Sequence, residues 1–230
     1  MEALIAYARP LAQGAVVTVG LAVLSLALAT LLGGLGAYGR LGGGRFGAWL
    51  VFIYTTIVRG IPDLVVILLV YFGGQRLVNT LAAALGAEAG FQVSPFVAGT
   101  VSIGFIYGAY LTETFRGAYM TIPRGQIEAA QALGLRPAPL LRTVTLPQLV
   151  RAALPGYANV FQVLVKSTAV VSVIGLADMV GIANSAGKSV REPFAFFVAV
   201  MLFYLLLTWA STTIFETLER RYARGFANAR

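Results

Sequence analysis

The chain has 230 residues, 58% hydrophobic and only 11% charged, against roughly 25% charged in an ordinary soluble domain, which excludes a freely soluble enzyme. It contains no His and no Cys, so disulfides, thiol nucleophiles, imidazole bases and zinc sites built from those ligands are excluded and no metal site is expected. Lys and Arg exceed Asp and Glu by 17 to 9, a formal charge of +8, whose meaning depends on where the basic residues fall.

A membrane-spanning helix needs about 20 mostly apolar residues to cross a hydrocarbon core of about 30 Å. The opening Met1-Glu2-Ala3-Leu4 lacks the basic segment of a secretory signal, so the first apolar stretch is expected to stay in the membrane uncleaved. That stretch, residues 10–39, has no charged residue and predicts the first span. Residues 46–58 and 64–75 are separated by Arg59-Gly60-Ile61-Pro62-Asp63, and neither half crosses alone. They read as one second span, 46–75, with a polar, broken middle. A re-entrant pair is the alternative, since broken backbone is tolerated at depth where it lines a cavity. The third span is predicted over 89–115, the fourth over 152–177, interrupted only by Lys166, and the fifth over 193–216. The prediction is an all-α, polytopic membrane protein forming a single domain over residues 1–230.

Short loops rich in Lys and Arg are retained on the cytoplasmic side. With the N-terminus outside and the C-terminus inside, the inner segments hold eleven of the 17 basic residues, from Arg40, Arg45 and Arg116 to Arg224 and Arg230. The outer segments hold Arg9, Arg76, Lys188 and Arg191. The positive charge is thus a topology signal, and nucleic acid is not expected as a partner.

One long inner connection, residues 116–150, stands out. Pro123 precedes Gly125-Gln126-Ile127-Glu128-Ala129-Ala130-Gln131-Ala132-Leu133-Gly134-Leu135, a run of helix formers closed by a glycine stop. Ala129, Ala130 and Leu133 fall on one side of this short helix, a small face able to lie close against another protein. Packing on its own bundle is the alternative. Pro137 and Pro139 are expected to prevent the helix from continuing, and Leu146-Pro147 restarts the chain toward the fourth span.

Ionisable residues inside the membrane are functional candidates, because each costs about 2.5 to 3.5 kcal/mol at the bilayer centre. Arg59, Asp63, Glu113 and Lys166 qualify. Asp63 could offer a carboxylate to a cationic group, while amides freed at the following helix start could meet an α-carboxylate. Arg59 is the other carboxylate partner, and an internal Arg59–Asp63 ion pair that only holds the break competes with both. Glu113 precedes Arg116 by three positions, the spacing of a structural pair. Lys166, beside Ser167 and Thr168, either partners Asp63 or Glu113 or lines the path. Gly181 to Ser189 approaches a phosphate-binding loop, but Ile182 stands where the first glycine is needed, and the segment reads as an external loop. Gly104 and Gly108 suit close helix packing.

Glu128-Ala129-Ala130, then Gly134, Val144 and Leu146-Pro147 at their spacing resemble the EAA loop of permease subunits of bacterial ABC importers, with Val144 where that motif often has Ile. The likeness extends over about residues 14–225. It includes Arg59 to Val65, Phe105 to Tyr110, Thr112 to Gly117, Lys166 to Ala169 and Ala186 to Ser189 with Glu192-Pro193-Phe194. These are similar to polar amino-acid permeases, most of all the branch serving histidine, lysine, arginine, ornithine and opines. Relatives serving glutamine and glutamate usually carry Thr-Pro-Leu where this chain has Ile61-Pro62-Asp63.

The resemblance implies the type I permease fold of ABC importers, with Glu128, Ala129, Ala130, Gly134 and Leu135 on a coupling helix seated in an ATPase subunit. Arg59, Asp63, Glu113, Lys166, Ser167 and Thr168 remain candidates for the substrate path. It also implies a second permease chain, identical or related, an amino-acid-binding protein outside, a lipid environment in the bacterial cytoplasmic membrane, and no catalytic residue. No cofactor is expected in this chain; ATP and magnesium are expected on the partner ATPase. An ion- or proton-coupled carrier, importers of neutral or acidic amino acids, and a receptor or assembly subunit are the alternatives.

Overall fold

The computed structural model describes residues 2–86 and 90–223; Arg224, Arg230 and Ala89, the predicted start of the third span, lie outside them. The described elements are helical. In chain order they are α1 (Glu2–Ala6), α2 (Ala8–Gly42), α3 (Gly44–Gly60), α4 (Asp63–Leu68), a π turn (Leu69–Gly73), α5 (Gly74–Ala84) and α6 (Pro95–Met120). There follow α7 (Arg124–Ala132), α8 (Pro137–Leu140), a π turn (Leu141–Thr145), α9 (Leu146–Ser167), a 3₁₀ segment (Thr168–Ile174), α10 (Met179–Val190) and α11 (Pro193–Ala223). Five stretches are long and apolar enough to cross a membrane: Ala8–Gly42, Asp63–Ala84, Pro95–Met120, Pro137–Ile174 and Pro193–Tyr222.

Because lipid is as apolar as leucine, side-chain size rather than polarity selects the buried face of such helices. Helix α2 turns Ala22, Ala29, Gly33 and Gly36 inward and leaves Leu24, Leu31 and Leu35 outside. Its partner α6 answers with Ala98, Gly99, Ser102, Gly104, Gly108 and Ala109, and its apolar stretch is far more buried than that of α2 or α11. Helix α6 is therefore the axis of the bundle. A Cβ at Gly36 would stand 2.2 Å from Thr112 Oγ1, whereas one at Gly34 would meet nothing within 4 Å. Gly36→Val is expected to cost about 1 to 3 kcal/mol and Gly34→Val close to nothing. Melting curves of the two variants in detergent check this, and equal melting points would contradict the packing.

Several boundaries differ from the sequence reading. The second span, expected over 46–75 with a broken middle, is divided at Ile61 and Pro62, which are extended (ψ 138° and 136°): α3 stops at Gly60, and the helix that begins at Asp63 reaches Ala84 rather than ending at 75. Proline disfavours helical backbone in the residue before it, which fixes the break between Gly60 and Asp63. The helix α7 ends at Ala132 and does not continue through Pro137 and Pro139, but a new helix starts there, Pro137 occupying the first turn, where a missing N–H costs nothing. The fourth helical stretch thus begins at Pro137, far earlier than 152, and passes through a π turn before α9. It ends in the 3₁₀ segment at Gly175, whose φ of +86° requires glycine.

The segment read as an external loop is the helix α10. Asp178 caps it, its Oδ1 accepting from the Gly181 amide at 2.9 Å, while Thr18 Oγ1 accepts from the Met179 amide at 3.1 Å. Asp178 is fully buried and its Oδ2 has no hydrogen-bond partner. Burial pushes its carboxyl above the ordinary aspartate range, against the lowering effect of the Gly181 amide. A raised pKa means that the stability this group contributes is complete below the ordinary value and is lost as pH rises through the raised one. Asp178→Asn is therefore expected to melt higher than the wild type at pH 7, the gap closing toward pH 4. A lower melting point at pH 7 would contradict it.

Candidate functional site

Depth along α6 locates the candidates. Gln75 joins α5 to the segment just before α6, accepting from the Val93 amide at 2.6 Å and donating to the Phe91 carbonyl. At the opposite, arginine-rich end, Glu113 receives Arg116 at 2.8 Å, Arg40 Nε at 4.0 Å and the Thr55 hydroxyl at 3.5 Å. The Glu113–Arg116 pair expected from the spacing is present, and Glu113 additionally ties α2 and α3 to α6.

Midway along α6 lies Tyr107, and here the two helix breaks converge. Asp63 Oδ2 accepts from the Tyr107 hydroxyl at 2.9 Å and from the Ser167 hydroxyl at 2.7 Å, and the two hydroxyls are 2.5 Å apart. Asp63 opens a continuous helical run of 22 residues, Asp63–Ala84, so the positive end of that helix points at the same place. Ser167 ends α9 where the backbone tightens into the 3₁₀ segment. Three oxygens meet, and with Asp63 ionised two hydroxyl protons serve three contacts, so the hydroxyls can bond the carboxylate or one another.

The Arg59–Asp63 ion pair does not form. Arg59 is exposed and lies over the Tyr110 ring, 5.1 Å from its centroid, a cation–π arrangement, and Tyr110 stacks on Tyr107 at 5.6 Å. Lys166 pairs with neither Asp63 nor Glu113; it is exposed beside a groove lined by Val180, Phe197 and Tyr204. Thr168 is buried and turned away from Asp63, its hydroxyl 3.0 Å from that of Tyr204. Of the six path candidates, Asp63 and Ser167 are brought into contact, Arg59 reaches them through the two tyrosine rings, and Glu113, Lys166 and Thr168 stand elsewhere. Tyr107 and Tyr110 were missed. The signal was there: tyrosine favours membrane interfaces, and one at mid-span needs a partner for its hydroxyl.

Helix α7, at the arginine-rich end, is largely exposed. Gly134, with φ +80°, ends it: the Leu135 amide bonds the Ala130 carbonyl at 3.1 Å and the Gly134 amide bonds Gln131 at 2.9 Å, a Schellman close that favours glycine. Glu128 and Ala129 are exposed, Leu133 is 81% exposed, and Ala130 is buried against the chain's own bundle. The predicted small face is thus divided, Ala130 packing inward while Ala129 and Leu133 remain open. Among the described residues no cluster of three or more metal-ligating side chains exists.

Long apolar helices broken midway around a carboxylate, together with an exposed helix at the arginine-rich end, fit a membrane transport subunit. Residues 29–224 match the family described as binding-protein-dependent transport system inner membrane component, and the chain belongs to that family. It is 46% identical over 217 residues to the histidine/lysine/arginine/ornithine transport system permease protein HisQ of Escherichia coli, covering 94% of this chain and 95% of the relative. It is 39% identical to the nopaline transport system permease protein NocQ of Agrobacterium fabrum over 218 residues, 94% and 92% of the two chains. A solved amino acid ABC transporter crystallised with histidines superposes with a TM-score of 0.79 at 27% identity, covering 95% of this chain and 96% of that one. The methionine transporter MetNI, at TM-score 0.66 and 17% identity over 94% and 95% of the two chains, shares the fold. The chain is a multi-pass amino-acid ABC transporter permease of the type I fold, and an ion- or proton-coupled carrier is not favoured.

Proposed function

We propose that this chain, one permease domain over residues 1–230, carries amino acids with cationic side chains, or opines, across a bacterial cytoplasmic membrane. Its N-terminus lies outside and its C-terminus inside. It works with ABC ATPase subunits that bind ATP and magnesium, a second permease chain, identical or related, and a binding protein outside.

The observation that carries the substrate class is Asp63, half-buried at the mid-membrane break and held by two hydroxyls with no cationic partner among the described residues. An arriving ammonium or guanidinium group replaces those hydroxyls on the carboxylate, and Tyr107 and Ser167, already within reach, turn to each other. Each hydroxyl oxygen keeps one hydrogen bond in the exchange and only one of the two hydroxyl protons loses its acceptor, which reduces the penalty of binding at this depth. The amides at the start of α4, or Arg59 on its aromatic shelf, receive the α-carboxylate. The names of the relatives, permeases for histidine, lysine, arginine, ornithine and nopaline, support the same class.

For coupling, Glu128, Ala129 and Gly134 form the surface seated in the ATPase, with Leu133 as the apolar projection, while buried Ala130 and half-buried Leu135 hold the helix to its own bundle. Movement of α7 passes into α6, which meets the Asp63 cluster at its midpoint through Tyr107, and into the stretch from Pro137 to Ser167, which ends there. The test is ATP-driven accumulation in vesicles holding the whole transporter: lysine, arginine, histidine and ornithine are expected to compete with one another. Competition by glutamine or glutamate at equal strength would refute the assignment.

A further inference from the structure

Two recesses at the arginine-rich end adjoin. The first, of about 560 Å³, lies among the inner part of α2, the end of α6 and the start of α9, walled by Tyr38, Leu41, Phe115, Leu146, Leu149 and Ala153. The second, of about 450 Å³, reaches the close of α7 at Gln131, Leu135 and Pro137. Tyr119, Leu141 and Thr145 line both, making one groove with an apolar and a more polar part.

Depth and charge identify its occupant. At 1.5 Å per residue, Phe115 lies about 12 Å and Tyr119 about 18 Å below Tyr107 along α6. The hydrocarbon half-thickness is about 15 Å, so the groove crosses the inner hydrocarbon boundary, apolar part on the lipid side. From residue 129 to 177 the chain has no Asp or Glu. Arg136 and Arg142, next in sequence to the lining residues Leu135, Pro137 and Leu141, are exposed and enter no salt bridge among the described residues. A molecule with an apolar tail and an anionic head, in that order at that depth, matches the groove; basic pockets between helices on the cytoplasmic side are suited to anionic headgroups.

We propose that this groove holds one anionic phospholipid of the cytoplasmic leaflet, an acyl chain beside Phe115 and Leu149 and the phosphate against Arg136 and Arg142. The lipid thereby contacts the turn that follows α7 and links bilayer composition to the coupling element.

Native mass spectrometry of the purified full-length chain, incubated with dioleoyl phosphatidylglycerol or dioleoyl phosphatidylcholine, tests this. The wild type is expected to retain one phosphatidylglycerol per chain roughly tenfold more tightly than phosphatidylcholine. The exposed double substitution Arg136→Gln/Arg142→Gln removes that preference and leaves phosphatidylcholine unchanged. Gly34→Trp, which fills the apolar part from a position where a Cβ meets nothing within 4 Å, weakens both lipids. Equal retention of the two lipids by the wild type, or undiminished phosphatidylglycerol in the arginine variant, overturns the proposal. So does a Gly34→Trp chain that passes from dimer to monomer with lipid retention unchanged, because the groove then seats a second copy.

Discussion

Transporters carrying Glu128→Arg or Gly134→Val are expected to assemble in the membrane and hydrolyse ATP while accumulating little amino acid. Gly134 adopts φ +80°, and a β-branched side chain there costs about 1 to 2 kcal/mol or more, so the Schellman close opens and α7 loses its fixed end. Glu128 is exposed on α7, and reversing its charge alters the surface offered to the ATPase without disturbing the bundle. A coupling free energy of ordinary size corresponds to roughly a 5- to 150-fold effect, the range in which the ratio of uptake to hydrolysis is expected to fall. Gly125→Ala is the control, since a Cβ at Gly125 meets nothing within 4 Å. Paired measurements of uptake and ATP hydrolysis in vesicles decide the matter, and normal uptake by both variants would remove α7 from the coupling role.

Asp63→Asn is expected to lower uptake of lysine and arginine by about 10- to 100-fold, the worth of a charged hydrogen bond at about 1.5 to 3 kcal/mol, and to spare any neutral amino acid the system carries. The amide still accepts from Tyr107 and Ser167, so the break keeps its shape while its charge is gone. Initial rates for a cationic and a neutral amino acid, measured side by side, separate the two roles of Asp63. An equal loss for both would make it a structural residue.

Much of this was legible in the sequence because the membrane leaves few choices. Residues 10–39 and 193–216 had to be helices, and Arg59-Gly60-Ile61-Pro62-Asp63 had to interrupt one. Gly134 announced the end of α7, and the Glu113–Arg116 spacing announced a pair that is present at 2.8 Å. What escaped depended on tertiary choices. Whether Arg59 turns to Asp63 or to Tyr110 depends on a ring supplied by α6, forty-seven positions away from Asp63 in the chain. Lys166, Ser167 and Thr168 are consecutive and face three directions, toward a groove, toward Asp63 and toward Tyr204, because successive side chains turn by about 100° around a helix, and which of the three meets Asp63 is set by the packing of α9. Pro137 reads equally well as the end of one helix or the start of the next. The helix α10 was hidden by Gly181, Asn184, Ser185 and Gly187, which carry weak helix propensity, while the Asp178 cap holds its start.

The most direct measurement is a cryo-electron-microscopy map of the complete transporter in a bilayer disc with lysine bound. The ε-ammonium is predicted within hydrogen-bonding distance of Asp63, with the Tyr107 and Ser167 hydroxyls turned toward each other. Lysine density on another set of side chains, with both hydroxyls still on the Asp63 carboxylate, would contradict it.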